Sequence, residues 1–193
     1  MQPPFFSPCT HQALNCLEYQ QSVSNSNHIT YVHRPNLVQV GGNAELENTF
    51  KNASKCLYAF GAPDDLLVHR GAAKPLVRAS KQDAEIHGND GLGGVEGLPD
   101  VDHAAIRSRL DRSLKLRAIE GISAAVRSAI QNAEKVTIVS TGPMTNIALF
   151  VSIYPDLLDG VEEFVFMGGA VGMGNRSSVA GESHPLCITL FGR

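Results

Sequence analysis

The chain has 193 residues, of which 43% are apolar, and its 16 basic and 19 acidic side chains leave a formal net charge of −3. This length suits one domain, and the apolar fraction is ordinary for a globular chain. The slight negative charge, without a basic block, argues against nucleic-acid binding through phosphate neutralisation. No apolar run approaches the length of a membrane span.

The N-terminal residues 1–36 differ in composition from the rest of the chain. They include Pro3-Pro4 and Gln20-Gln21 together with several serines and asparagines, and they show little hydrophobic periodicity. Such a composition is typical of a segment that cannot build a packed core. We therefore predict a loosely ordered arm at 1–36, ahead of an ordered region that begins near Leu37.

The ordered region opens with a short strand and a long amphipathic helix. Leu37–Val40 alternates apolar and polar side chains as a half-buried strand does, and apolar residues at helical spacing predict a helix from about Ala44 to Phe60. Asn43 lies between these elements. It could be the N-cap of the helix or could point into the crevice above the sheet, and its position slightly favours the cap.

A second short strand is predicted at Leu66–Val68, and the segment from Ala72 to Asp102 is irregular and rich in glycine. Long irregular segments inside compact domains are often active-site loops. His87 is the only histidine in this segment. It could face a ligand, although a structural role is the more common outcome for a lone histidine.

The second half of the chain contains a strand–helix–strand unit that follows another helix. The helices are predicted at Leu114–Ala133 and Thr145–Tyr154, and the strands at Val136–Ser140 and Val161–Met167. Two strands joined by a helix are parallel, with a right-handed crossover. The order of elements predicts an α/β fold with a mainly parallel sheet.

Small residues follow both strands of this unit, at Thr141-Gly142 and Gly168-Gly169. Ligands of open parallel sheets bind beyond the carboxyl ends of the strands, and glycine lets them approach the backbone. The same glycines could equally serve only to make tight turns. The sequence contains neither GxGxxG nor GxxxxGK[ST], so it has no dinucleotide fingerprint and no P-loop.

Four cysteines at positions 9, 16, 56 and 187 show no CxxC spacing, and the N-terminus has no basic region leading into an apolar one. These features predict a reduced, cytoplasmic protein without a zinc site or a secretory signal.

Five segments carry a resemblance to a known family. They are, in chain order, Gly42-Asn43-Ala44 with Glu47-Asn48-Thr49 and Asn52-Ala53; His87-Gly88 with Asp90-Gly91-Leu92-Gly93; Ser140-Thr-Gly-Pro-Met-Thr-Asn-Ile-Ala148; Met167-Gly168-Gly169 with Gly174-Asn175; and Ala180-Gly181-Glu182. In this order and spacing the chain resembles, over roughly residues 37–182, the inosine/uridine-preferring nucleoside hydrolases.

The resemblance implies a Rossmann-like α/β enzyme, with an open, mainly parallel sheet flanked by helices. Such an enzyme hydrolyses the N-glycosidic bond of purine or pyrimidine ribonucleosides to ribose and free base. In the family a Ca²⁺ ion binds the ribose 2′- and 3′-hydroxyls and lowers the pKa of the attacking water, and an aspartate accepts the proton. The resemblance also implies a homodimer or homotetramer.

The family's motifs assign roles to six positions of this sequence. Asn43 resembles a ribose-contacting asparagine, and Asn175 and Glu182 resemble ligands of the ribose hydroxyls. Met167 resembles the apolar residue beside the sugar. Thr141 resembles the residue whose backbone carbonyl binds Ca²⁺, and His87 resembles a residue on the base side of the pocket.

The chain also departs from the family's pattern at both ends. The family begins with an aspartate cluster, DxDxxxDD, whereas Glu18 is the only acidic residue in 1–36. After Glu182 the tail at 183–193 does not match, and a late His-Asp pair of the family has no counterpart. The resemblance therefore implies a core at 37–182 that is incomplete at both ends.

These departures imply that the chain does not retain Ca²⁺ and is weakly active or inactive, as a truncated or mis-spliced gene product would be. Two alternatives remain open. One is a non-catalytic module that binds ribose or a nucleoside, and the other is an α/β domain whose glycine-rich loops are only structural.

Overall fold

The computed structural model describes residues 36–77, 79–80, 82, 84–169 and 187–192, with the backbone alone at 167–169 and 187–192. The described strands are β1 (Leu37–Gln39), β2 (Val68–Arg70), β3 (Val136–Ser140), β4 (Val161–Gly169) and β5 (Cys187–Gly192). The described helices are α1 (Leu46–Ala59), α2 (Ala84–His87), α3 (Ala104–Ser113), α4 (Ala118–Gln131) and α5 (Thr145–Ile153), with a 3₁₀ helix at Pro155–Gly160. None of these helices is long and apolar enough to cross a membrane.

The strands form two sheets within the described part of the chain. β1 pairs in parallel with β2, and β3 pairs in parallel with β4, which confirms the predicted strand–helix–strand unit. β5 pairs antiparallel with β4. The α/β class and the mainly parallel pairing are as predicted, whereas the sequence indicated a single sheet and the described strands form two.

The described residues form two apolar clusters. One contains Phe50, Leu57 and Val68 and joins α1 to β2. The other contains Val126 and Phe150 and joins α4 and α5 to the sheet of β3 and β4. The helix α4 contacts β1, β2 and β3, so one helix covers strands of both sheets.

Several predicted boundaries were wrong. The predicted helix at Leu114–Ala133 begins only at Ala118, because Leu114 is the C-cap of α3 and a turn separates the two helices. The helix α3 was not predicted from the sequence, since few of its residues are apolar. The strand predicted at Leu66–Val68 lies at Val68–Arg70, where pairing with Leu37–Gln39 sets its register.

The ends of the chain were predicted as an arm at 1–36 and a divergent tail at 183–193. Residues 187–192 of the tail form β5, a strand that was not predicted from the sequence. Residues 1–35 lie outside the described residues.

Arg109 of α3 is 1% exposed and closes the connection between α1 and β2. Its guanidinium donates hydrogen bonds to the carbonyls of Ala62, Pro63 and Leu66 and to Asp64 Oδ1. Burial lowers the pKa of Arg109, and the Asp64 carboxylate opposes that shift. The planar fork of arginine suits a site with several acceptors, so α3 is held to this connection by one buried cation.

His69 of β2 is buried at 3% exposure between α4 and the start of β1. Its Nδ1 lies 3.3 Å from the Leu116 carbonyl and its Nε2 lies 3.2 Å from Asn36 Oδ1. A Cβ on Gly121 would lie 2.6 Å from the His69 ring, so the glycine makes room for the imidazole. Burial lowers the pKa of His69, and the hydrogen bond to the Leu116 carbonyl opposes it.

We expect the free energy of unfolding to fall in mild acid because of His69. Its folded-state pKa lies below the unfolded value of about 6.5, so below that pH the unfolded chain binds more protons. The contribution is complete above about pH 6.5 and is lost as the pH falls towards the lower folded-state pKa. Urea unfolding at a series of pH values should show a shallower loss for His69→Gln than for the wild type. Equal slopes in the two proteins would contradict the assignment.

Candidate functional site

The carboxyl ends of β1, β2 and β3 meet at one edge of the molecule. The Gly41 N–H donates to the Ala72 carbonyl at 2.8 Å, which joins the residues after β1 to those after β2. A Cβ built on Gly42 would lie 2.9 Å from Pro143 Cγ, so the residues after β1 also touch those after β3. This edge is where open parallel sheets bind ligands.

A buried amide ties these strand ends together. Asn146, in the first turn of α5, is 5% exposed. Its Nδ2 donates to the Gln39 carbonyl at 3.0 Å, and its Oδ1 accepts the Ala72 N–H at 2.9 Å. One side chain from the β3–α5 turn therefore holds the ends of both β1 and β2.

Asn43 lies at this edge, in the bend between β1 and α1, and is partly buried. The predicted N-cap role is wrong, because α1 begins at Leu46 and its N-cap is Glu45, which makes no side-chain cap bond. Among the described residues, the Asn43 side chain has no hydrogen-bond partner. The amide is therefore not committed to the helix start.

Thr141 directly follows β3, one residue before the glycine that faces Val40. Ser140 Oγ donates to the Gly142 carbonyl at 3.1 Å, which helps to shape this turn. A Cβ on Gly142 would lie 3.5 Å from Val40 Cγ1, so the turn packs against the end of β1. Thr141 and Asn43 therefore follow strand ends that are in contact with each other.

His87 ends the short helix α2 and is 1% exposed. Its carbonyl accepts the Gly93 N–H at 2.7 Å, which closes the glycine-rich loop 88–94 over it. Glycines 88, 91, 93 and 94 all have positive φ, a conformation that other residues rarely adopt. The assignment of His87 to the base side of a pocket stays a prediction.

Two asparagines of α1 hold this loop. Asn48 Nδ2 donates to the Asn89 carbonyl at 2.9 Å and Asn52 Nδ2 donates to the Asp90 carbonyl at 2.7 Å. Asp90 Oδ1 accepts the N–H groups of Leu92 and Gly94 at 3.1 and 3.3 Å. The helix that starts beside Asn43 therefore also positions the loop above His87.

We expect Asn52→Ala to loosen the glycine-rich loop without unfolding the protein. The substitution removes a hydrogen bond worth about 1 kcal/mol and leaves the Asp90 carbonyl without that donor. Hydrogen exchange at the Leu92 and Gly94 amides should become roughly five-fold faster. Lys51→Ala, at the exposed neighbouring position, should leave these rates unchanged. Unchanged rates in Asn52→Ala would show that the Asn52 hydrogen bond does not hold the loop.

The charged side chain at the end of β2 is committed to α1. Arg70 forms an ion pair with Glu47, and its guanidinium carbon lies 5.3 Å from the centre of the Phe50 ring. This arrangement fastens α1 to β2 beside the strand ends.

The other predicted site residues are described in part or not at all. Met167 lies in β4, where its backbone pairs with Ile188, and its side chain is not described. Asn175 and Glu182 lie outside the described residues. The structure thus brings Asn43 and Thr141 to one edge, while the remaining assignments stay predictions.

Asn48, Asn52 and Asn146 received no role from the sequence, although all three lie within the quoted motifs. Asn48 and Asn52 are four residues apart, so they share one face of α1. Asn146 is an amide within an otherwise apolar helix, TNIALFVSI. A polar residue in such a helix could have been singled out, but its partners are 74 and 107 residues away in sequence.

The description "Inosine-uridine preferring nucleoside hydrolase" belongs to a family model that matches residues 35–182. An uncharacterized protein of Schizosaccharomyces pombe is 42% identical over 142 residues, which are 73% of this chain and 39% of that protein. The non-specific ribonucleoside hydrolase RihC of Escherichia coli is 38% identical over 140 residues, which are 72% of this chain and 41% of RihC. The chain thus spans about two fifths of the length of these relatives.

Solved structures share the fold at lower identity. A purine-preferring ribonucleoside hydrolase from Gardnerella vaginalis superposes with a TM-score of 0.64 at 23% identity, over 86% of this chain and 49% of that one. An inosine-guanosine nucleoside hydrolase superposes with a TM-score of 0.65 at 23% identity, over 90% of this chain and 51% of that one. With the family match over residues 35–182, this chain belongs to the inosine-uridine preferring nucleoside hydrolase family.

Proposed function

We propose that this chain supplies the sugar-binding edge of a ribonucleoside hydrolase. Such an enzyme cleaves the N-glycosidic bond to give ribose and free base. The observation that carries the proposal is the contact between the ends of β1 and β3, which brings Asn43 and Thr141 to one edge. The names of the relatives, a non-specific and a purine-preferring ribonucleoside hydrolase, support ribonucleosides as the substrate class.

The chemistry of this edge suits the hydroxyls of a ribose. A buried sugar hydroxyl needs a partner that accepts its proton and a partner that donates to its oxygen. The Asn43 amide can do both, whereas the carbonyl of Thr141 can only accept. The sugar would therefore lie over the strand ends, with Met167, Asn175 and Glu182 completing its contacts and His87 on the base side.

The described residues do not fit a Ca²⁺ site. Ca²⁺ takes about six to eight oxygen ligands, several of them carboxylates. Within the described ranges no three His, Cys, Asp or Glu side chains lie close enough together to hold a metal ion. The carbonyl of Thr141 alone does not make a site. Because residues 1–36 also lack the aspartate cluster with which the family begins, we propose that the chain binds the sugar without retaining Ca²⁺ and hydrolyses ribonucleosides weakly or not at all.

A non-catalytic ribose- or nucleoside-binding module is the second candidate, and it is favoured by the sequence of residues 1–36, in which Glu18 is the only acidic residue. Both candidates share the sugar site and differ in turnover. We further propose a cytoplasmic location, from the cysteine spacing, and a homodimer or homotetramer, as the resemblance implies.

Three measurements on the full chain test this proposal. Inosine or ribose should raise the melting temperature of the wild type, because a ligand that binds only the folded state stabilises it. Asn43→Ala should abolish that rise, while Lys51→Ala should keep it. If neither inosine nor ribose shifts the melting temperature of the wild type, the proposed sugar site is wrong.

Assays of turnover and of Ca²⁺ binding separate the weak hydrolase from the binding module. A nitrophenyl riboside should be hydrolysed slowly if the chain is a weak hydrolase and not at all if it is a binding module, and in both cases calorimetry with Ca²⁺ should show no tight binding. Ca²⁺ affinity of about micromolar or better would show that the proposed set of metal ligands is wrong. Rapid Ca²⁺-dependent turnover would make the chain a competent hydrolase and exclude the binding-module candidate.

A further inference from the structure

Asn146 is buried at the point where three strand ends meet, yet it has no role in the proposed sugar site. Its two hydrogen bonds reach β1 at Gln39 and the residue Ala72 after β2, at 3.0 and 2.9 Å. Burying an amide is costly unless its groups are paired, and both its donor and its acceptor are paired here. The side chain therefore links α5 to the ends of β1 and β2.

Asn146 is not needed to start its own helix. The N-cap of α5 is Met144, and no side-chain bond caps that helix. The two partners of the Asn146 amide are 107 and 74 residues away in sequence. The interaction thus joins parts of the chain that nothing local would bring together.

The surroundings of the amide are shaped to admit it. A Cβ on Gly71 would lie 2.3 Å from Asn146 Nδ2 and equally close to the Gln39 carbonyl oxygen. Only a residue without a side chain leaves this space open. The residue after β2 therefore has to be glycine for the Asn146 amide to fit.

The same turn carries the contact with the Asn43 segment. Pro143, three residues before Asn146, packs against Gly42. A Cβ on Gly42 would lie 2.9 Å from Pro143 Cγ. Thr141 lies two residues earlier. The turn between β3 and α5 thus carries Thr141 and the contact with the Asn43 segment, and Asn146 follows directly in the first turn of α5.

From this geometry we infer that Asn146 is a positioning residue, which sets the separation between Asn43 and the Thr141 carbonyl so that both can bind one sugar. The inference rests on the proposed function for its sugar. Its geometric part, the fixed contact between the β1 and β3 ends, does not depend on any ligand.

The test compares Asn146→Ala and Asn146→Asp with the wild type and with Val126→Ala. Asn146→Asp is close in size and keeps an acceptor for the Ala72 N–H, but it loses the donor and places a carboxylate oxygen against the Gln39 carbonyl. It keeps the test open if the alanine variant does not fold. Val126 is fully buried in the cluster with Phe150, so Val126→Ala loses stability without touching the strand ends.

The first readout is the nuclear Overhauser effect between the α-protons of Gly42 and the Pro143 ring protons. We expect this signal in the wild type and in Val126→Ala, and its disappearance in both Asn146 variants. Retention of the signal in both Asn146 variants would overturn the inference. Its disappearance in Val126→Ala as well would show a general structural effect and would overturn it equally.

The second readout is the affinity for inosine. We expect roughly ten-fold weaker binding in Asn146→Asp, the effect of one mismatched hydrogen bond, and near-wild-type affinity in Val126→Ala. Equal inosine affinities in all variants, although Gly42 and Pro143 had moved apart in the Asn146 variants, would overturn the positioning role. No inosine binding by the wild type would sink the proposed function, while the NMR readout would still decide whether Asn146 fixes the two strand ends.

Discussion

Replacing Arg109 with alanine should lower the free energy of unfolding by about 3–4 kcal/mol. The guanidinium is 1% exposed and donates to the carbonyls of Ala62, Pro63 and Leu66. Without it the buried Leu66 carbonyl loses its donor, which costs about 1–3 kcal/mol, and the missing side chain leaves a cavity that adds to the loss. Urea unfolding monitored by circular dichroism would measure the change.

Two further arginine variants make this result specific. Arg107, on the same helix, pairs with Asp102 at the exposed surface, so Arg107→Ala should cost less than about 0.5 kcal/mol. Arg109→Lys keeps the charge but not the planar fork, and we expect an intermediate loss. If Arg109→Ala lowered the free energy of unfolding no more than Arg107→Ala, the hydrogen bonds of Arg109 to the α1–β2 connection would not stabilise the fold.

Replacing Gly71 with alanine should be the most damaging single change at the strand ends. The new Cβ would lie 2.3 Å from both the Gln39 carbonyl oxygen and the Asn146 amide. Backbone cannot move away cheaply, so the Asn146 hydrogen bonds must break. We expect a loss of roughly 3 kcal/mol in the free energy of unfolding, from overpacking and unpaired buried groups together.

Gly142 provides the matched control for Gly71. Both glycines follow strands at the same edge, but a Cβ on Gly142 meets only Val40 Cγ1 at 3.5 Å, an ordinary contact. The free energy of unfolding of Gly142→Ala should therefore lie within about 0.5 kcal/mol of the wild-type value. Thermal melting of the two variants side by side would measure the difference, and equal melting temperatures would contradict the close packing around Gly71.

The parts of the fold that could be predicted are those with strong local signals. The β-branched run at Val136–Ser140 predicted a strand with the observed bounds. The glycine and proline that follow it predicted the start of α5 at Thr145, where the structure has it. The helix α1 was predicted within two residues at its start because its apolar positions recur at helical spacing. In each case the pattern and the structure agree over a single element.

Other features have no local signal. The helix α3 has only a few apolar positions, and the residue that fixes it is a buried arginine, a type that composition assigns to the surface. The division into two described sheets and the register of β2 depend on which strands pair. Pairing is a property of segments far apart in sequence.

For the site, the sequence pointed to the carboxyl ends of the strands, and the structure shows that the ends of β1, β2 and β3 meet there. The predicted ligand roles of Asn43, Thr141 and His87 stay predictions. The side chains that hold the site together, Asn48, Asn52 and Asn146, were found only in the structure. Their partners are carbonyl and amide groups of distant loops, which no spacing rule can identify.

By itself the sequence determined the α/β class and the β3–α5–β4 unit, because hydrophobic periodicity and strand-end glycines are properties of neighbouring residues. Its five motifs carried the resemblance to the family, which the family match over residues 35–182 confirms. Only the tertiary structure decided how the strand ends are fastened. That fastening is made by buried amide hydrogen bonds across 74 and 107 residues, and such a bond exists only once folding has brought both partners into one dry space.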